Sequence, residues 1–347
     1  MERDAILAMN ILYHLTVLPP KIPAGEALSQ EIDALRARFG GDLIYLNPNP
    51  GSPLTIPRLL FGFHKLGEIR RREAAVDLHH FYNPDPFPFS VLRWFKRPVV
   101  YSISSGVGER QPNIRFLSSL AAVTVADERS LARLQSWGLA NVFLVRSGIN
   151  VARFKHNPRP LGSEIRLMAG SAPWTVAQFS TKGVDALLAA AQQMPQLRII
   201  FLWRGVLAEE MVRRVRRLNL EQQVQVLDQL VDVNQVLANV HASVTLATDP
   251  AIIKAYPHSL LDSLAAGKPV LVSRAIPMSE YVVATGCGRV VEEVTAEALL
   301  AAVTALVAEY DTIRKRAEKV GQRDFSQEAM IESFQRVYEH VLGAVPA

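Results

Sequence analysis

Short apolar runs alternate along almost the whole chain with stretches whose apolar positions recur every three or four residues. That alternation predicts buried strands joined by amphipathic helices, the arrangement of α/β proteins with parallel sheets. "AILAMNILYH" reads as a first strand. "AGEALSQEIDALRARFG" follows as a helix, with Leu28, Ile32 and Leu35 on one face and Gly40–Gly41 as its stop. "DLIYL" and "VDLHHF" read as strands, "PFSVLRWF" as helix-like, and "RPVVYSIS", "AAVTVA" and "NVFLVRSG" as further strands. "IRFLSSL" and "RSLARLQSWG" are the helices between them. "ARFKHNPRPLGSE", residues 152–164, is polar and proline-bearing and reads as a linker. A second alternation begins at "IRLMAG" and runs through helix 182–193, "LRIIFLW", helix 206–218, "VQVLD", helix 232–240, "ASVTLA", helix 258–266 and "PVLVS". A helix over about 296–319 and an amphipathic one over 326–343 end the chain. The pattern predicts two Rossmann-like doubly wound domains facing a central cleft, at 1–155 and 160–325. Residues 326–347 form a C-terminal helix, and ligands are expected at the carboxyl ends of the strands.

Length agrees with two cores: the chain has 347 residues, and single cores usually stop growing near about 250–300. Cys287 is the one cysteine, so an internal disulfide and a cysteine-built metal site are excluded. The opening apolar run follows "MERD", which is not basic overall, and no small-residue cleavage site comes after it. It is therefore expected to be a strand and not a signal peptide, and the protein is expected to be soluble and cytoplasmic. Charge is uneven. Residues 1–155 hold 19 Lys and Arg against 13 Asp and Glu, within a chain of net charge +5. The basic first half suits an anionic lipid surface or an acidic acceptor, so peripheral membrane association is an expectation. No nucleic-acid motif accompanies it, and no nucleic-acid partner is expected.

Several chemistries are excluded. "SGVGERQ" lacks the third glycine of a dinucleotide fingerprint, and "AGKPV" lacks the flanking residues of a P-loop. His79 and His80 are adjacent in a strand, point to opposite faces, and cannot chelate one ion, so no metal site is expected. What remains is phosphate recognition by helix N-termini, whose free N–H groups and partial positive charge suit a diphosphate. Two places fit. In "STKGVDALL", Thr181 is the expected N-cap with Lys182 beside the helix entrance. In "YPHSLLDSL", Pro257, His258 and Ser259 line the entrance.

In order along the chain, these segments resemble the group 1 glycosyltransferases, retaining enzymes of GT-B architecture. "VRSGINVARF" looks like that family's interdomain segment, and "LMAGSAPWTVAQFSTKGVDALLAAAQQM" like its donor-side strand, loop and Lys-Gly helix. "YPHSLLDSLAAGKPVLVS" followed by "PMSEYVVATGCGRVV" looks like its most specific stretch, down to Glu280. The resemblance implies a nucleotide-diphosphate sugar donor on the second domain, with no cofactor or metal required, and a lipid-linked or small acceptor on the first. It implies that the last helix crosses back to the first domain. It also implies that Lys182 contacts the diphosphate, that Gly170, Pro257, His258 and Ser259 line the donor, and that Asp262 hydrogen-bonds the ribose hydroxyls. Cationic charge there offsets the negative charge building on the leaving phosphate.

The sequence departs from the family at some of these positions. Lys254 stands where the first acid of the Glu-x7-Glu motif is expected, and Ser171 where an arginine is usual. Arg204 or Lys254 is the candidate replacement cation. The early glycine-rich turn is reduced to Ala24–Gly25–Glu26. His80 (or His79), after Asp77, is the candidate catalytic histidine, with Asp85 nearby. Lys254 also keeps open a nucleotide-binding or regulatory protein of the same shape that has lost catalysis. An epimerase of that shape is a third reading.

Overall fold

The computed structural model describes residues 9–19, 27–49, 55–170, 172–203 and 206–343. The chain divides into two compact units, Met1–Gly148 with Gln327–Ala347, and Ile149–Ser326. The first unit begins with β1 (Ile11–Leu15), α1 (Ala27–Phe39), β2 (Leu43–Tyr45), α2 (Leu66–Arg72) and β3 (Leu78–Asn83). It continues with β4 (Val99–Ile103), α3 (Ile114–Ser118), β5 (Ala122–Val125), α4 (Glu128–Ser136) and β6 (Val142–Leu144). The second unit holds β7 (Ile165–Ala169), α5 (Gln178–Thr181), α6 (Val184–Gln193), β8 (Leu197–Leu202), α7 (Ala208–Arg217), β9 (Val224–Leu227), α8 (Val233–Ala238) and β10 (Ala242–Thr245). After these come α9 (His258–Ala265), β11 (Val270–Ser273), α10 (Met278–Thr285), β12 (Gly288–Val291), α11 (Ala296–Ala308) and α12 (Tyr310–Arg323). The last helix, α13 (Gln327–Gly343), belongs to the first unit.

Each unit has one six-stranded sheet, and every pairing is parallel. The first sheet runs β2-β1-β3-β4-β5-β6. Its strands read as continuous apolar runs because both faces are buried. Leu12, Phe81, Tyr101 and Val123 face a layer that contributes Phe61, Ile69, Phe89 and Val91. Ile11, Tyr13, Tyr82 and Val100 face α1 and α13 through Ile32, Leu35, Phe334 and Tyr338. The second sheet runs β12-β11-β10-β7-β8-β9. The chain leaves β7 through β8 and β9, then returns to the other side of β7 with β10. The strand order therefore reverses between β7 and β10, and open α/β sheets bind ligands outside the carboxyl ends of strands at such a point.

Three local expectations change. The single helix over about 296–319 is two helices, broken at Glu309 (φ −122°, ψ 23°). The break lets α11 pack on α6 while α12 packs on α9, and it turns the buried Tyr310 hydroxyl to donate to the carbonyls of Arg159 and His241. "PFSVLRWF" holds only a 3-10 turn, Ser90–Trp94. The linker 152–164 is fixed to the second unit: Lys155 N–H donates to Asn234 Oδ1 at 3.0 Å, and His241 Nε2 lies 3.1 Å from the Pro160 carbonyl.

Candidate functional site

The carboxyl ends of β7 and β10 gather most of the residues singled out in the second unit. Gly170 follows β7, and a Cβ built on it would lie 2.8 Å from Ser259 Cβ. Only glycine lets the strand end meet the start of α9 this closely. Ser259 Oγ in turn lies 3.3 Å from Thr245 Oγ1 at the end of β10. Pro257 is the N-cap of α9 in an extended conformation, and no side chain caps that first turn. Leu260, Leu261 and Leu264 are fully buried and anchor the helix. His258 and Asp262 are half-buried and, four residues apart, share one helical face.

Lys182 reaches the same edge by a different route from the expected one. Thr181 is not an N-cap: it ends the short α5, and Lys182 caps that helix with its N–H toward the carbonyls of Gln178 and Ser180. Gly183, at φ 69°, then starts α6 with no side-chain cap bond. The left-handed turn between the two helices needs a glycine, a conformation that β-branched Thr181 would adopt only under strain. The turn is seated against the strand beside it. A Cβ on Gly183 would lie 2.5 Å from Leu246 Cβ, and Thr248 N–H donates to the Thr181 carbonyl at 2.9 Å. Lys182 is only 8% exposed, with its Nζ 3.3 Å from the Ala172 carbonyl. Burial holds its ammonium below the ordinary lysine value. A partly desolvated cation with one carbonyl partner is suited to bind an anion.

Lys254 is half-buried in the segment that leads into α9. That segment is pinned by Met278 N–H donating to the Ala255 carbonyl at 3.2 Å and by Tyr256 packed against Tyr281 and Phe325. Glu280 is exposed in the first turn of α10. Ser171, Arg204 and the Ala24–Gly25–Glu26 turn lie outside the described residues.

In the first unit the adjacent histidines do point to opposite faces. His79 Nδ1 is 2.9 Å from His14 Nε2, and its Nε2 is 2.9 Å from Glu73 Oε1. His80 is fully enclosed beneath α13. Its Nδ1 lies 2.6 Å from the Tyr338 hydroxyl and its Nε2 2.7 Å from Ser102 Oγ, with Phe334 and Tyr82 against the ring. Burial pushes its imidazole down to about 3. The catalytic role assigned to His80 from the sequence is corrected on this geometry: both ring nitrogens are occupied and no substrate reaches them, so His80 is a core residue.

The carboxyl edge of the first sheet offers other groups. Asp85, just after β3, takes a bidentate pair from Arg58 at 2.6 and 3.0 Å, and the Arg58 guanidinium lies 4.4 Å from the Phe87 ring centroid. Burial would raise the Asp85 carboxyl, but the Arg58 bonds outweigh it and leave the group below its ordinary value. Asn83, which donates to the Asp85 carbonyl, and Thr16 complete the cluster. Arg58 escaped the sequence reading because it sits in a loop far upstream without a motif. Among the described residues no group of three His, Cys, Asp or Glu side chains is placed to hold a metal ion. No described helix is long and apolar enough to cross a membrane.

Two parallel doubly wound sheets with a ligand edge at the switch point define a GT-B type fold, and comparisons with known proteins agree. The sequence model of a family described as "Glycosyl transferases group 1" matches residues 175–324. Sucrose-phosphate synthase from Thermosynechococcus elongatus is similar in structure, with a TM-score of 0.72 and 17% identity over 97% of this chain and 100% of that one. HepE from Anabaena, solved in complex with UDP, gives 0.70 at 15% identity over 94% and 99%. WaaG, a glycosyltransferase involved in lipopolysaccharide biosynthesis, gives 0.65 at 14% over 94% and 99%. No curated protein sequence matches the chain. The family match lies within the second unit, and the structural neighbours extend the likeness in fold to nearly the whole chain.

Proposed function

We propose that the second unit binds a nucleotide-diphosphate sugar at the β7/β10 edge and that the sugar passes, with retention and without a metal, to a lipid-linked or small acceptor on the first unit. The observation that carries this reading is the convergence of Lys182, Gly170 and the uncapped start of α9 on one strand edge. In this reading Lys182 and the backbone N–H groups of His258 and Ser259 neutralise the diphosphate, as a metal ion would otherwise do. Asp262 accepts from the ribose hydroxyls, and His258 lines the same helical face. Lys254, and by the family resemblance Arg204 and Ser171, adjust the site's charge and polarity where the family has other residues. UDP bound to HepE makes uracil the first base to test. On the acceptor side, Asp85 held by Arg58 accepts a hydrogen bond from the attacking hydroxyl. A lipid-linked acceptor would bring the first unit to a membrane surface.

Isothermal titration with UDP, GDP and ADP tests the donor site. One of the three is expected to bind at micromolar levels, and Lys182→Ala is expected to weaken it by about tenfold or more, the scale of one charge-assisted hydrogen bond. If none binds, or if Lys182→Ala binds like the wild type, the donor assignment fails.

A further inference from the structure

One surface of the first unit is left unexplained by the donor and acceptor edges. Part of the layer over the Leu12–Phe81–Tyr101 face of the first sheet comes from α2 and two 3-10 turns, Arg58–Leu60 and Ser90–Trp94. Its inward residues, Phe61, Ile69, Val91 and Leu92, are buried. Its outward residues include three large apolar side chains, Leu59, Leu60 and Trp94, exposed at 49%, 50% and 52%. The two turns touch each other, and α2 reaches the second through Arg70, whose guanidinium lies 5.7 Å from the Trp94 ring centroid.

Only some of the cations around these side chains are compensated. Lys65 and Arg72 pair with Glu68 and Asp42. By contrast, exposed Arg70, Arg71, Arg93, Lys96 and Arg97 have no carboxylate within ion-pair distance among the described residues. Arg71 and Arg97 spend one N–H each on the carbonyls of Gly67 and Glu73 and keep the rest of their donors. Five exposed cations on α2 and residues 93–97, one of them over the exposed Trp94 ring, and a leucine pair on the turn that touches Trp94's own present both charge and apolar surface outward.

We infer that this layer is a docking surface for an anionic lipid bilayer. It deepens the reading of a lipid-linked acceptor by naming the surface that meets the membrane, but it stands on the charge and exposure of the first unit alone. Anionic headgroups attract juxtamembrane Lys and Arg, and the effect decays within a Debye length. Trp94 is amphipathic and suited to the headgroup level, and Leu59 and Leu60 gain from the acyl boundary. A second copy docked face to face would bring like charges together, which opposes self-association through this surface. A nucleic acid would satisfy the cations but leave the leucines nothing to bury against.

The test is sedimentation of the full chain with vesicles of phosphatidylcholine alone and of phosphatidylcholine mixed with phosphatidylglycerol, at low and high salt. Binding is expected only to the anionic vesicles and is expected to weaken steeply with salt. Removing one cation should loosen it by about fivefold. The triple variant Arg70→Glu, Arg71→Glu, Arg93→Glu should loosen it by well over a hundredfold, and Trp94→Ala should weaken it at unchanged charge. UDP titration and the melting temperature of each variant are expected to match wild type, which separates loss of the surface from misfolding. A failed UDP titration in every form would sink the donor reading while leaving the vesicle result to stand by itself. Equal binding to both vesicle types, unchanged binding by the triple variant, or retention by single-stranded oligonucleotide in place of vesicles overturns the inference. So does dimerisation that the same substitutions abolish.

Discussion

Gly183→Ala puts the architecture of the donor edge to a quantitative test. At φ 69° the residue occupies the left-handed region, which costs a side chain roughly 1–2 kcal/mol. The added Cβ would also lie 2.5 Å from Leu246 Cβ. That atom is fixed to the backbone just beyond β10 and cannot swing aside, so the overpacking adds about 1–3 kcal/mol. Together these give a loss of about 2–5 kcal/mol, which for a unit of this size lowers the melting temperature by roughly 5–15 °C. Because the turn carries Lys182, UDP affinity should fall with it. Thermal unfolding followed by circular dichroism measures the first effect and calorimetric titration the second. Gly108→Ala is the internal control, since that glycine has open space and an ordinary φ. A Gly183→Ala protein that melts within about a degree of wild type would refute the close packing of this turn against Leu246.

Two further outcomes follow from the first unit. Burial lowers the pKa of His14, His79 and His80, so between the ordinary value near 6.5 and their native values the unfolded chain binds more protons than the native one. The stability they support is present above about pH 6.5 and is lost as pH falls. The melting temperature should therefore drop steadily from about pH 7 to about pH 4.5, and a flat profile would contradict the enclosed histidines. The Arg58–Asp85 pair is nearly half exposed, so Asp85→Ala should cost less than about 1 kcal/mol of stability. It should nevertheless raise the acceptor KM or lower kcat while leaving UDP binding unchanged. An unaltered acceptor response would remove Asp85 from the site.

The sequence discloses what is set by local pattern. Strand periodicity located both sheets and put His79 and His80 on opposite faces, and proline before an apolar helix marked the start of α9. It failed where distant residues decide. The fate of His80 depends on Tyr338, which no local pattern connects to it. The position of Lys182 depends on Gly183 being held against Leu246, so a helix that looked continuous from 182 begins only after a left-handed turn. The break at Glu309 is set by packing on α6 and α9, not by a proline or glycine, and Arg58 meets Asp85 only because the loop before α2 folds back over β3.

The first unit is built from two pieces of chain, one before and one after the whole of the second unit. During synthesis the strands β1–β6 precede the second unit, yet the part of their face that α1 leaves for Phe334 and Tyr338 stays uncovered until α13 is made. The second unit is continuous and contains every strand of its own sheet, so it can complete its core beforehand. Assembly should therefore run from the middle of the chain outward. The exposed apolar face of the unfinished first unit is then the stage most open to aggregation or chaperone capture.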